Sequence, residues 1–147
     1  MKIMTENTVK VGTKMNDGSI YAGISPDTNQ RMYVTAEDAP KLDSDLYMNF
    51  FQAAKCAKNL DAHGHKDWYV PTKAELNVLR QNREEGALKG TFNSSASPAG
   101  TYWSSTSLNR DEDVEGDYAW SQSFSDGEQD STFKDYDMSV RCVRYTP

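Results

Sequence analysis

Short runs of alternating apolar and polar residues occupy the beginning of the chain, at 8–15, 19–25 and 31–35. The turn dipeptides Asp17-Gly18 and Pro26-Asp27 separate these runs. The pattern therefore predicts a hairpin or a meander of short strands, followed by a polar loop at 36–45.

Helical periodicity occurs twice after this loop. Asn49 with Gln52, and Thr72 with Glu75, have the spacing of a capping box, so each pair predicts a helix start. Apolar residues then recur at three- to four-residue intervals in the first helix, at Phe50, Ala53, Cys56, Ala57 and Leu60, and in the second helix, at Leu76 and Leu79. The second helix is predicted to reach about residue 83.

The C-terminal part returns to strand patterns. A strand at 101–107 precedes an acidic loop at 109–117, and a turn at Asp126-Gly127 separates the next two strands. The closing strand has Met138, Val140 and Cys142 on one face. Two helices combined with short antiparallel strands indicate an α+β fold.

Alternation divides the last strands into a buried and an exposed set. Tyr118, Trp120, Gln122 and Phe124 share one face. We predict a structural core around Trp68, Trp103, Trp120 and Phe124. The opposite face and the following polar strand are predicted to bind a ligand or partner through Ser121, Ser123, Asp130, Thr132, Lys134, Asp135 and Tyr136, with Tyr136 as the anchor.

Composition narrows the class of protein. The 147 residues include three Trp, eight Tyr and five Phe, which can form an aromatic core in a single domain. The net charge of −6 and the lack of a basic cluster argue against nucleic acid as a partner. We expect no membrane insertion, and residues 1–12 lack the apolar segment of a secretory signal.

Candidate chemistry is sparse. Cys56 and Cys142 can be two buried thiols, a disulfide or a reactive thiol. A metal could be held by His63 and His65 with Asp61 and Asp67, or by the acidic loop with Asp111, Glu112, Asp113, Glu115 and Asp117, but solvated loops are the preferred interpretation. With two histidines and no defensible triad, we expect no enzymatic activity, no metal and no cofactor.

The segments DWYVPTKAEL, YWSST, AWSQSFSDG and VRCVR, in this order and spacing, resemble the Lcl C-terminal-type domain family over about residues 18–144. The family is named for a bacterial collagen-like adhesin. The resemblance implies a C-type-lectin-like fold, with two helices flanking small twisted antiparallel sheets. Members occur in bacterial surface proteins and in phage or prophage proteins, and in some similar domains the last strands carry diversified residues. It also implies that Cys56 and Cys142 meet across the core, so we predict a disulfide between them.

These observations predict a non-catalytic binding module, on a phage particle or a bacterial surface, that recognises a protein or a glycan. The alternative is a structural virion component, such as a capsid decoration or tail-associated protein, that docks on other virion proteins. Residues 1–15 are predicted to form an N-terminal arm and 16–147 a single domain. Homo-oligomerisation stays open.

Overall fold

A computed structural model describes residues 9–39, 47–96, 98–109, 111 and 113–145. In this part of the chain two helices and six strands form an α+β structure. The strands make two antiparallel sheets, ordered β1-β2-β6 and β3-β4-β5. The elements are β1 Ile20–Ile24, β2 Arg31–Val34, α1 Phe50–Asn59, α2 Lys73–Gln81, a 3-10 turn at Gly86–Leu88, β3 Thr101–Ser107, β4 Tyr118–Ser123, β5 Gln129–Phe133 and β6 Val143–Arg144.

Both predicted capping boxes are present. The Asn49 side chain accepts a hydrogen bond from the Gln52 backbone N–H, while the Gln52 side chain accepts one from the Asn49 N–H. Thr72 and Glu75 make the same reciprocal pair at the start of α2. These caps satisfy backbone donors that a helix start otherwise leaves unpaired, which is why the sequence locates both helix starts correctly.

Each helix packs on its own part of the core. The cluster next to α1 contains Met48, Ala53, Ala57, Trp68, Trp103, Val140 and Cys142. The cluster next to α2 contains Ile20, Met32, Val34, Leu76, Leu79, Tyr102, Phe124 and Val143. Trp68, Trp103 and Phe124 are all buried, as the sequence predicts. Large aromatic side chains therefore supply much of the core volume, in keeping with the composition.

Ionisable groups lie inside this core as well. The Arg141 side chain is fully buried and donates hydrogen bonds to the Thr35 and Thr91 carbonyls, with Asp38 3.4 Å away. Burial lowers the pKa of Arg141, although Asp38 opposes this effect. The equally buried Glu75 accepts hydrogen bonds from hydroxyl groups, as described below. Their polar partners compensate for the desolvation of these two charges.

Two strand predictions differ from the structure. Residues 8–15 do not form a strand in the described part of this segment; they make a turn and a single bridge from Lys14 to Ile20. The predicted closing strand is a strand only at Val143–Arg144, with isolated bridges at Met138 and Ser139 before it. Val140, Arg141, Cys142 and Val143 are all equally buried. Alternation fails here because this segment meets protein rather than solvent on both sides. No helix among the described residues is long and apolar enough to cross a membrane.

Three of the four sheet edges are covered by other parts of the chain. Backbone hydrogen bonds join Gly12 and Thr13 to Tyr21 at the outer edge of β1, and Met15 to Ser19 just before it. Residues 12–15 of the predicted arm thus cover the edge of the first sheet, while residues 1–8 lie outside the described part. Tyr69 and Val143 exchange two backbone hydrogen bonds of 2.9 Å across the outer edge of β6.

The second sheet differs at its two edges. Ser139 bridges the outer edge of β3, donating its N–H to the Thr101 carbonyl and accepting from Trp103. The Ser105 N–H donates to the Pro71 carbonyl further along the same edge. On the outer side of β5, no strand or bridge pairs with it within the described residues. We call this side of β5 the open edge.

Candidate functional site

The β4–β5 hairpin carries most of the predicted ligand-binding residues. Its register pairs Tyr118 with Phe133, Trp120 with Ser131, and Gln122 with Gln129 on one face. Ala119 with Thr132, and Ser121 with Asp130, lie on the other face. Ala119 belongs to the core cluster next to α1, so this second face is directed at the protein interior.

The prediction that Ser121 and Thr132 face solvent is wrong. Both are buried, and their hydroxyl groups hydrogen-bond to each other at 2.7 Å. Their side chains are polar, which predicts exposure, but they lie on the same face as the fully buried Ala119. Polarity alone therefore gives the wrong assignment. A hydroxyl pair that satisfies itself can be buried at little cost.

Lys134 is also buried rather than displayed. Its ammonium group donates a hydrogen bond of 2.8 Å to the Gly116 carbonyl and lies 4.8 Å from the centre of the Phe50 ring. Lys134 thus connects the acidic loop to the start of α1. Its role in the described structure is to join two segments, and its charge is withdrawn from the surface.

The other predicted binding residues remain accessible. Asp130, Asp135 and Tyr136 are exposed, and Tyr136 has 59% of its surface accessible. Ser123 is half-buried, and its hydroxyl lies 2.9 Å from that of Ser125 in the hairpin turn. These positions are therefore available for contact with a partner.

Trp120 is not a core residue, in contrast to its prediction. Its ring is half-buried, and the ammonium group of Lys73 lies 3.4 Å from the ring centre. The face of β4 that carries Trp120 is covered by α2 only in part: Gln122 reaches Asn77 of the helix and is buried, whereas Tyr118 at the far end is 41% exposed. Burial thus decreases along one strand face, a gradient that alternation cannot predict.

An aromatic groove lies where α2 no longer covers the hairpin. Tyr118 and Phe133 pack with ring centres 5.5 Å apart, and Phe133 and Tyr136 are 6.2 Å apart. The groove is open to solvent, has a volume of about 490 Å³ and is lined by Tyr118, Ser131, Thr132, Phe133, Tyr136 and Met138, so it lies beside the open edge. Tyr118, Phe133 and Tyr136 all rank among the exposed large hydrophobic side chains of the described residues.

The sequence identified Tyr136 but missed Tyr118 and Phe133. Alternation assigns Tyr118 to the buried face with Phe124, and Phe133 lies in an otherwise polar strand. The sequence does contain a signal: Tyr118 follows the acidic loop at the start of one predicted strand, and Phe133 lies near the end of the next. The register that places them opposite each other becomes visible only in the structure.

The acidic loop uses its central carboxylate internally. Asp113 accepts hydrogen bonds from the backbone N–H groups of Asp117 and Tyr118, at 3.1 and 2.8 Å. Burial raises the pKa of Asp113, but these and a further backbone hydrogen bond outweigh that effect and lower it. Glu112 lies outside the described residues. Among the residues that are described, no three His, Cys, Asp or Glu side chains come together in a way that could hold a metal.

The histidine loop is tied to the N-terminal segment. His63 Nδ1 lies 3.0 Å from the Asp17 carbonyl oxygen, and His63 Nε2 accepts the Ala36 N–H. His65 Nε2 lies 2.8 Å from Asp17 Oδ2. Asp61 lies 4.0 Å from Lys66 at the surface, and Asp67 binds Arg144. These contacts give the loop a structural role.

The predicted disulfide is absent, because Cys56 and Cys142 are both thiols. They do belong to the same core cluster, Cys142 buried and Cys56 at its margin. Burial raises the pKa of both, and burial with the nearby Cys56 raises that of Cys142 to about 12. A thiolate is needed to form a disulfide, so the raised pKa values of these thiols slow their oxidation.

The structure defines an α+β domain with two helices, two small antiparallel sheets and an aromatic groove at one hairpin. The chain belongs to the Lcl C-terminal domain family, whose model matches residues 27–144. The match includes both helices, the groove and the five strands from β2 to β6. No individual curated protein matches the chain.

Proposed function

We propose that this domain is a non-catalytic binding module that recognises a protein or a glycan through the aromatic groove. The observation that carries the proposal is the exposure of Tyr118, Phe133 and Tyr136 together around one concavity. Clustered exposed aromatic side chains cost solvation free energy in the unbound domain, and they are typical of surfaces that bind.

The surroundings of the groove support recognition rather than catalysis. Of the groove-lining residues, Thr132 has its hydroxyl group occupied by that of Ser121. Lys134 is occupied by the Gly116 carbonyl, and Asp113 by backbone N–H groups. General acid–base catalysis requires an ionisable group directed into the pocket. Aromatic rings on a rigid hairpin instead provide contact area with little loss of entropy on binding.

The location and the fold class belong to the same proposal. Membership of the Lcl C-terminal domain family supports a surface-associated role, on a bacterial cell or a phage particle. Two helices packed against small twisted antiparallel sheets are compatible with a variant of the C-type-lectin-like fold. An experimental structure compared with lectin-like domains would test that classification.

The test is a ligand screen with matched variants. The purified domain is applied to a glycan array and to a library of displayed peptides. The hits are retested with Tyr118→Ala, Tyr136→Ala and the control Phe51→Ala. Phe51 is an equally exposed aromatic residue, 58% accessible, and it does not line the groove.

We expect each groove variant to weaken binding of the selected ligands by about 2 kcal/mol or more, and Phe51→Ala to leave it within about 0.5 kcal/mol. Thermal melts should show that all three variants are folded. Absence of any reproducible ligand, or equal losses in the groove variants and the control, would contradict the proposal.

A further inference from the structure

The direction of the backbone groups on β5 follows from two hydrogen bonds at the ends of the hairpin. The Lys134 N–H donates to the Asp117 carbonyl at 2.8 Å, and the Ser123 N–H donates to the Glu128 carbonyl at 2.9 Å. Hydrogen-bonded and non-hydrogen-bonded pairs alternate in an antiparallel ladder. Asp130 and Thr132 therefore direct their backbone groups toward β4.

Gln129, Ser131 and Phe133 then direct their N–H and C=O groups away from the sheet, along the open edge. The Phe133 carbonyl accepts the Tyr136 N–H at 3.0 Å. For the other outward groups, the described part of the chain supplies no backbone partner. A donor and an acceptor alternating at strand spacing match the edge of another strand, and a sugar does not present such a repeat.

The aromatic groove continues this edge at its C-terminal end. Ser131 and Phe133 line the groove and also carry the outward backbone groups. A strand added to the edge would therefore bring one of its side chains to the rings of Tyr118, Phe133 and Tyr136. Backbone pairing and a side-chain pocket occur together in known modes of strand addition.

Charge distinguishes between the occupants of this edge. Segment 126–137 has one basic residue, Lys134, whose ammonium group is bonded to Gly116. Its acidic residues are all exposed, namely Asp126, Glu128, Asp130, Asp135 and Asp137. A second copy of the chain would bring the same carboxylates against each other, which is unfavourable, whereas a cationic segment would be attracted.

We propose that the open edge of β5 binds an extended, lysine- or arginine-rich polypeptide as a fourth strand, with one of its side chains in the aromatic groove. This inference rests on the proposed function, because it names the ligand class of the same site. It adds that the main chain of β5, and not only its rings, makes the contact.

The edge can be tested with a substitution that leaves the hairpin intact. Ser131→Pro removes one outward N–H, and proline is tolerated on an edge strand when that N–H is outside the ladder. Ser131→Ala is the matched control, since it keeps the N–H. The probe is a short end-blocked peptide in which lysine alternates with valine and threonine, and a second peptide has glutamate in place of lysine.

Binding is measured by calorimetry and by NMR titration of the backbone amides. We expect the lysine peptide to bind, to shift the Ser131 and Phe133 amides, and to bind about tenfold or more tightly than the glutamate peptide at low salt. Ser131→Pro should weaken it about tenfold or more, and Ser131→Ala should not. If Ser131→Pro lowers the melting temperature strongly, the test uses the unchanged domain and lysine peptides that are N-methylated at alternate residues. Only the peptide whose methylated N–H groups would face β5 should lose binding.

Several results would overturn the inference: no binding of the lysine peptide, equal binding to Ser131→Pro and Ser131→Ala, or equal affinity for the two peptides. A dimer in sedimentation that Ser131→Pro abolishes would assign the edge to a second copy instead. If screened ligands require Tyr118 and Tyr136 but ignore Ser131→Pro, this inference fails while the proposed function stands. If neither the groove nor the edge matters, both fail.

Discussion

The outer edges of β6 and β5 belong to sheets of the same size but are treated differently. At β6, Tyr69 pairs with Val143 through two backbone hydrogen bonds, and Arg144 is held by Asp67. At β5, Ser131 is exposed, and no segment of the described chain pairs with the outer side of the strand. An unpaired edge is a hazard for aggregation, and proteins normally cover or charge it. Here the edge of β6 is covered, whereas the edge of β5 carries carboxylates. The charges deter self-pairing and leave the edge of β5 accessible to selected partners.

The cover of β6 depends on Trp68, which directly precedes Tyr69. Its indole N–H donates to the Ala62 and His65 carbonyls, and its ring is buried in the core. We expect Trp68→Ala to lower the free energy of unfolding by about 3–5 kcal/mol. Replacing the half-buried Trp120 on β4 by alanine should lower the free energy of unfolding by clearly less. Equal shifts in chemical denaturation would contradict this difference between the two regions.

Glu75 joins the same covered edge to α2. Its buried carboxylate accepts hydrogen bonds from the Ser25, Tyr69 and Tyr145 hydroxyls, at 2.5, 3.0 and 2.7 Å. Glu75→Ala leaves these donors without an acceptor, and we expect a loss of about 2–4 kcal/mol in urea unfolding. Glu84→Ala, an exposed glutamate just after α2, is the control and should stay within about 0.5 kcal/mol. A small effect at Glu75 would mean that water replaces the carboxylate.

Within β5, replacing a buried side chain and replacing an exposed one should change the free energy of unfolding by different amounts. Thr132→Ala removes the hydroxyl that pairs with Ser121, and we expect it to cost about 1 kcal/mol of unfolding free energy. Ser131→Ala, on the exposed face, should change it by less than about 0.5 kcal/mol. Thermal melts of the two variants would show the difference. The reverse order would mean that the strand register is shifted by one residue.

The ion pair on β6 predicts a pH dependence. The hydrogen bond from Arg144 lowers the pKa of Asp67, so the folded state binds this proton less readily than the unfolded chain. The stabilisation is therefore complete above the unfolded value, about 3.9, and is lost as the pH falls through the lower folded value. Asp67→Asn should be less stable than the parent by at most about 1 kcal/mol at pH 7. Urea titrations should show this difference shrinking toward zero below about pH 4, and a constant difference would contradict the assignment.

The sequence specified the elements better than their surroundings. Capping boxes located both helices because a cap is a local interaction. Alternation placed Phe124 correctly but failed at Trp120, Ser121 and Thr132, because burial on a strand depends on what packs against each face. Tyr118 and Phe133 form a site only through their register, and the open edge depends on which segments cover the other three. Those properties arise from contacts that are distant in sequence.

Amide hydrogen exchange measured by NMR tests most directly whether β5 presents an unpaired edge in solution. In the isolated domain, the Thr132 amide, which points to β4, and the Lys134 amide, which donates to the Asp117 carbonyl just before β4, should exchange slowly. The Tyr69 and Val143 amides at the covered edge should also exchange slowly. The outward amides of Ser131 and Phe133 should exchange rapidly at every protein concentration. If Ser131 and Phe133 are protected as strongly as Thr132, the edge is covered, and the account of this surface is wrong.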